Sequence, residues 1–478
     1  MKHPTFALSL RDALARVAAE HPSDCRAYPD PIARDAIAAD FVRADAGVPA
    51  TPRSRRERIV TYGAVEHAAL PLVLGAYGCV DRIRGWLPGL PRRFDRPTFE
   101  AFLAHAKAPV IVDGAGDAVE QACDLEALPI PITTERDAGP YITMGLVCAG
   151  TPDGEMAMSV HRMLVLDSRR LTIWMLPNRQ LRAMSEAALL RRESLPITIN
   201  IGAPPAAMIA SALATRWLPP ACSKLDIAGA LAGAPVAIEH RGGGFALAGS
   251  EIVLEGSIDG RSVDECRAGG VFGHSMPEFL GYDGRAQHDL PIVEITRATV
   301  RPGAVYPSVI GPGREQSNIL GLAGALTVGF SLDHPNWPCD RGPEIVDIAL
   351  PAAGGGMLLL LAQLRLTGPL PDDGLDALAL RLFSHHPFVK LIVFVDEDVS
   401  LSSEEDVLWA VTTRANLGRD VHSFDGFPRL GMDPSQQTGW RSPEGESAGR
   451  SYIDATRPAS FRSSAERSFA ALLQEVSA

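Results

Sequence analysis

A carboxylate set among apolar residues and glycines is the part of this chain best suited to chemistry. It lies in Met276-Pro277-Glu278-Phe279-Leu280-Gly281-Tyr282-Asp283-Gly284, where burial of Glu278 beside an aromatic ring would raise its pKa toward a general acid's range. On local sequence alone a structural loop is the better reading of the same residues. Just upstream, Gly273-His274-Ser275-Met276-Pro277 approaches a nucleophile elbow, but Pro277 stands where the second glycine is required. Gly354-Gly355-Gly356 could cradle a phosphate, and a turn leading into a strand explains it better. Asp396-Glu397-Asp398 could hold a divalent cation, and a solvated strand end beside a helix N-terminus is the plainer expectation. No G-x-G-x-x-G follows a strand, and there is no Walker loop and no H-E-x-x-H. The seven cysteines (25, 79, 123, 148, 222, 266 and 339) are scattered and lack a C-x-x-C, which predicts reduced thiols serving as small core residues.

The elements that must position these residues follow from apolar periodicity. Ser9 is placed to cap a helix carrying Leu10, Leu14 and Val17 on one face. A short strand at Pro109–Asp113 ends at Gly114. Residues 124–132 contain Pro129 and Pro131 and read as a linker. From about Tyr141 to Leu326 the signals are mostly strands: a hairpin of Met163–Leu166 with Leu171–Leu176, then Ile197–Ile201, Val236–Glu239 and Glu251–Leu254. Helices are expected at Leu181–Arg192 and Pro205–Ala214. Many short strands with few helices suggest a barrel-like core. The last segment reads as α/β, with strands at Met357–Leu361 and Leu391–Val395. A helix follows whose capping box is Ser402 with Glu405. Residues 464–476 carry an apolar stripe, Ala465, Phe469, Leu472, Leu473 and Val476, that must pack on this chain or on a second subunit.

Composition narrows the classes. With 478 residues the chain suggests about three domains. A net charge of −12 argues against nucleic-acid binding and against docking on anionic lipid. Hydrophobic residues make up 46%, too many for disorder. The first residues show no signal-peptide core, and the longest apolar runs, Ala68–Val80 and Met357–Ala362, are too short to span a bilayer, so a cytoplasmic protein is expected.

Several separated segments carry a family resemblance. They are Asp124–Pro131 running on to Asp137–Thr143, Ser159-Val160-His161-Arg162-Met163, Pro277–Gly284, and Val395–Val399 with Asp406–Ala410 and Thr413-Arg414. Met432–Ser435 and Ile453–Pro458 follow near the end. In this order, over nearly the whole chain, they resemble the UbiD-type decarboxylases. The resemblance implies a mixed α/β protein with an N-terminal α/β domain (1–123), a central split β-barrel of flavin-reductase type (124–326) and a C-terminal α/β domain with a dimerising tail helix (327–478). It implies non-oxidative decarboxylation of an aromatic, heteroaromatic or α,β-unsaturated carboxylic acid with prenylated FMN, a cofactor that carries the hard chemistry. A homodimer or higher homo-oligomer is implied, and a flavin prenyltransferase would supply the cofactor.

Carried over by position, the family's catalytic arginine is Arg162 and its proton donor is Glu278. The proton donor's partner acid, five residues earlier, would fall on Gly273 and is missing. The cofactor site is expected to include Ser159, Val160, His161, Arg162, Gln180 and Lys224, with Lys390 as a phosphate contact. The family's Asn, His and Glu metal ligands fall on Ala157, Gln180 and Lys224, with Asn178 as an alternative to Gln180 and Asp226 to Lys224 if the register shifts. Alanine cannot ligate, an amide oxygen is a weak ligand, and an ammonium repels a cation, so the usual metal is expected to be absent. Three readings stay open. Lys224 supplies the missing positive charge to a flavin phosphate, or the fold handles a substrate by other chemistry, or the chain is a non-catalytic partner subunit. Retention of both Arg162 and Glu278 favours activity.

Overall fold

In a computed structural model, the residues described are 6–44, 57–114, 117–151, 154–177, 179–220, 222–265, 273–277, 282, 284–311, 313–332, 343–366, 370, 374–430, 433–436, 448–462, 464 and 466–467. The chain forms two compact units, one of Met1–Leu90 with Phe102–Ala323 and one of Pro91–Ala101 with Gly324–Ala478.

The first unit is organised by a curled antiparallel sheet of nine strands among the described residues. Eight follow in the order Tyr141–Ile142, Met163–Val165, Arg170–Ile173, Leu290–Val300, Ile252–Val263, Leu195–Ile201, Leu146–Gly150 and Met156–Val160, and Val119–Gln121 pairs with Leu290–Val300. The alternation Leu195, Ile197, Ile199, Ile201 puts one face of the central strand into the main apolar core, which Ile252, Leu254, Val293 and Ile295 continue. Gly202 ends that strand at φ +71, where a Cβ would also meet Glu251 Cγ at 2.5 Å, so only glycine fits the turn. The helix Gln180–Leu190 buries Leu181, Met184 and Ala188 in the same core. The helix Lys224–Ala232 starts from a capping box of Ser223 and Asp226, which answers two of its open backbone donors. A four-stranded sheet (Cys25–Ile32, Ile59–Val65, Leu72–Leu74, Tyr306–Pro307) and a three-stranded one (Gly244–Leu247, Ala237–Arg241, Val110–Ile111) complete the unit.

The second unit holds a five-stranded sheet in the order Glu344–Ala349, Leu359–Arg365, Leu391–Asp396, Ala448–Ala455, Val421–Phe427. Its three central strands are parallel, with helices Asp376–His385 and Glu404–Arg414 in the connections.

The mixed α/β class with a curled antiparallel centre is as expected. The helix Leu10–Glu20 is capped by Ser9, and the hairpin pairs Leu171 with Val165 and Ile173 with Met163. Three local expectations need correction. Residues 124–132, read as a linker, are part of the packed core: Leu125, Leu128 and Ile130 are buried there, so the prolines shape a packed segment. The helix Glu404–Arg414 is capped by Ser403, which accepts from Asp406 N, while Ser402 bonds Ser400. Asp396 is 5% exposed and binds Arg414 and the backbone and side chain of Arg457. It is therefore a buried ion-pair latch rather than a solvated strand end. Glu278, Asn178 and the apolar stripe of the expected tail helix lie outside the described residues.

Candidate active site

The hairpin register builds the first part of the site. Ile173 opposite Met163 brings the next residue, Trp174, beside Arg162, and Trp174 N–H donates to the Arg162 carbonyl at 3.2 Å. The guanidinium stacks on the indole, 4.2 Å from its centre. Its Nε and Nη2 then donate to the two carboxylate oxygens of Glu265, at 3.0 and 2.8 Å. This bidentate pair is deeply buried, with the two side chains 9% and 0% exposed. Glu265 also accepts from Tyr141 Oη at 3.0 Å and from Gln287 N at 2.9 Å. Burial, and then the facing Glu265 charge, push the Tyr141 hydroxyl well above its ordinary range, so it remains a donor.

The chain leaving this pair is anchored at both ends. Ser275 N donates to Gly284 O and Ala286 N to Gly273 O, closing the segment that carries Glu278 at its base. Arg162 Nη2 reaches the Arg285 carbonyl at 3.4 Å, and Met276 packs against Tyr141 and Leu164. Ser275 is buried, with its hydroxyl donating to the Met276 carbonyl, so it is no exposed nucleophile.

Ser159, Val160 and His161 run along and just past the strand Met156–Val160. His161 is buried, its Nδ1 2.9 Å from the Trp174 carbonyl and its Nε2 2.8 Å from Ser159 Oγ. A carbonyl can only accept, so Nδ1 carries the proton and Ser159 donates to Nε2. Burial pushes His161 down to about 4, helped by the charges of Arg179 and Lys224, and keeps the ring neutral.

Lys224 opens the helix Lys224–Ala232 but turns its side chain inward. Its Nζ donates to Met158 O at 3.0 Å and to Ser211 O at 2.6 Å, and the residue is 9% exposed. Burial lowers it to about 7, with the Arg179 charge adding to the effect and Cys148 opposing it. Arg179 is half-buried just before the helix Gln180–Leu190. Burial, and then Arg216, hold it below its ordinary value.

The resemblance implies a divalent metal at Ala157, Gln180 and Lys224, and these residues do not fit one. Ala157 is a buried methyl paired across the sheet with Ala149. The Gln180 amide nitrogen donates to Glu155 Oε1 at 3.1 Å. Lys224 places an ammonium where a cation would need a carboxylate. The alternative Asp226 is engaged by Ser223 in the capping box. Among the described residues no three His, Cys, Asp or Glu side chains converge.

Lys390 belongs to the second unit and is held by Asp433 at 2.7 Å and Ser435 at 2.5 Å. The sequence reading missed Glu265, which lies thirteen residues before Glu278 rather than five, so no fixed spacing exposes it. It also missed Trp174, which the observed hairpin register brings opposite Arg162. Arg179 carried no signal beyond adjacency to Gln180.

Comparison with known proteins completes the picture. Residues 110–315 match the 3-octaprenyl-4-hydroxybenzoate carboxy-lyase Rift-related domain of UbiD, and residues 339–455 match the C-terminal domain of the same family. Gallate decarboxylase of Lactiplantibacillus plantarum is 31% identical over 384 residues, covering 78% of this chain and 76% of its own. The apo structure of 3,4-dihydroxybenzoic acid decarboxylase from Klebsiella pneumoniae superimposes with a TM-score of 0.83 at 26% identity, over 96% of both chains. The UbiD-class enzyme HmfF of Pelotomaculum thermopropionicum, solved with FMN, gives 0.78 at 27% identity over 96% of this chain and 97% of its own. Its evolved dimeric form was solved with prFMN. Two domain matches, a relative above 30% identity and folds shared along nearly the full length lead to one conclusion: this chain belongs to the UbiD family of carboxy-lyases.

Proposed function

We propose that this chain is a non-oxidative decarboxylase of an aromatic or heteroaromatic carboxylic acid that works with prenylated FMN. The observation that carries this reading is the buried Arg162–Glu265 pair stacked on Trp174. It keeps an oriented guanidinium at the position the family resemblance gives to the catalytic arginine, and it holds that guanidinium on a buried acid.

Each residue has a defined task. The bidentate bond to Glu265 uses Nε and Nη2, which fixes the plane and reach of the Arg162 guanidinium. Arg162 orients the substrate carboxylate before carbon dioxide leaves. The Tyr141 hydroxyl and Gln287 N–H also donate to Glu265, which braces the pair before substrate arrives. When bound, the prenylated flavin supplies the sink for the electrons left behind by the departing carboxyl. Glu278, whose flanking chain is tied to this pair, delivers the proton to the carbon that lost carbon dioxide. Ser159, neutral His161 and the Lys224–Arg179 cations suit an anionic, phosphorylated cofactor. The chain acts as a homo-oligomer on a small carboxylic acid.

The test is carbon dioxide release from a panel of hydroxybenzoic, heteroaromatic and acrylic acids by protein co-expressed with a flavin prenyltransferase. Turnover by the isolated chain is expected, lost in Glu278→Gln with flavin binding retained. Unchanged turnover in that variant rules out Glu278 as the acid. A flavin-free protein with no turnover would instead support the reading of a non-catalytic partner subunit, for which the departures at Ala157, Gln180 and Lys224 speak.

A further inference from the structure

We propose that this protein seats its cofactor's phosphate directly on Lys224 and Arg179, with no divalent cation between them. The inference rests on the flavin reading above but is carried by its own geometry.

Lys224 is buried, and its ammonium has three N–H donors. Among the described residues two of them are taken, by the carbonyls of Met158 and Ser211, which come from a strand and from the end of a separate helix. Those two carbonyls fix the nitrogen in place and leave one donor to direct at a ligand. Arg179 has no carboxylate partner among the described residues. The charges that act on these groups are mainly one another: Arg179 acts on Lys224 and on His161, and Arg216 acts on Arg179. Glu155 is bonded to Gln180. In a chain of net charge −12, Lys224 and Arg179, with no carboxylate partner among the described residues, form a local well for an oxyanion.

A divalent cation at this place would sit against a fixed ammonium and gain no carboxylate. A phosphate gains charge-assisted bonds from both Lys224 and Arg179. The three departures from the family's ligand set then form one consistent change. The Lys224 charge replaces the metal's, the Ala157 methyl leaves no ligand to satisfy, and Gln180 turns away to Glu155.

The experiment is titration of the full-length apo chain with FMN and with riboflavin, followed by quenching of flavin fluorescence, in EDTA and in manganese. Thermal unfolding in inorganic phosphate is recorded alongside. We expect FMN to bind at least roughly tenfold tighter than riboflavin, equally well in EDTA and in manganese, and roughly tenfold more weakly in Arg179→Gln. Phosphate is expected to raise the melting temperature of the wild type and not of Arg179→Gln, which changes a half-buried side chain and keeps the fold. FMN binding strengthened tenfold by manganese overturns the proposal. Equal affinity for FMN and riboflavin also overturns it while leaving the flavin reading intact. Stabilisation by phosphate with no binding of either flavin keeps the seat and overturns the flavin reading. Indifference to both flavins and to phosphate overturns both.

Discussion

Arg162 and Lys224 are buried cations reached from the same sheet, yet they are compensated in opposite ways. Arg162 meets a fully buried carboxylate that accepts four hydrogen bonds. Among the described residues Lys224 bonds two backbone carbonyls and meets the field of a second cation rather than a carboxylate. The first arrangement is complete without a ligand, as the proposed orienting role requires. The second is electrostatically open and becomes complete when an anion arrives. A buried charge that lacks its partner within the fold costs stability, and it persists where a ligand supplies the partner.

Removing Glu265 should break this contrast most visibly. Glu265→Leu strands Arg162 without its acid and should destabilise the protein by about 3–5 kcal/mol. Glu265→Gln keeps the shape, loses the charge, and should lower turnover by roughly a hundredfold or more through misorientation of Arg162. Equilibrium denaturation and kcat/KM on the same preparations check both. Acid should come next. His161 lies near 4 in the folded protein and ordinarily near 6.5, so between these values the unfolded chain binds a proton that the folded one does not. Stability is therefore full above pH 6.5 and falls by about 3 kcal/mol as the pH drops toward 4. Denaturation against pH should show this fall, and His161→Gln should flatten it.

Lys224 should behave in the opposite sense to Glu265. Lys224→Met removes an uncompensated charge and two bonds to carbonyls, so its apo stability should stay within about 1 kcal/mol of wild type. Below about pH 7 Lys224 is charged in both the folded and unfolded states, and the cost of burying that charge is fully present. As pH rises from 7 toward 10.5 the folded lysine loses its proton first, and stability recovers. Sulfate, a dianion throughout, should therefore stabilise the apo protein more at pH 6 than at pH 9. Equal effects at both pH values would place the anion elsewhere. The smallest effect is expected at Gln180: Gln180→Ala should change FMN affinity less than twofold, since its amide is bonded to Glu155.

What the sequence made legible, and what it did not, follows the same physical divide. The hairpin through Met163 and Ile173, the capped first helix and the strand Leu195–Ile201 are local, and alternation and capping rules found them. Arg162 and Lys224 were singled out through the family resemblance, which places them within short motifs. Glu265 was not, because the length of chain between it and Glu278 carries no physical constraint that spacing can reveal. It reaches Arg162 through sheet closure, a contact 103 residues apart in sequence. The buried state of Asp396 was hidden for a similar reason. Its partner Arg457 lies 61 residues downstream, and three consecutive acids read locally as solvated.

The central claim is that an oriented Arg162 and a proton from Glu278 complete a decarboxylation. The most direct test is carbon dioxide release from hydroxybenzoic acids in deuterium oxide by the flavin-loaded chain, compared with Glu278→Gln. The account predicts one deuterium placed at the former carboxyl carbon by the wild type and no turnover by the variant. Equal turnover by both, or flavin-loaded protein that releases no carbon dioxide from any acid of the panel, would contradict it.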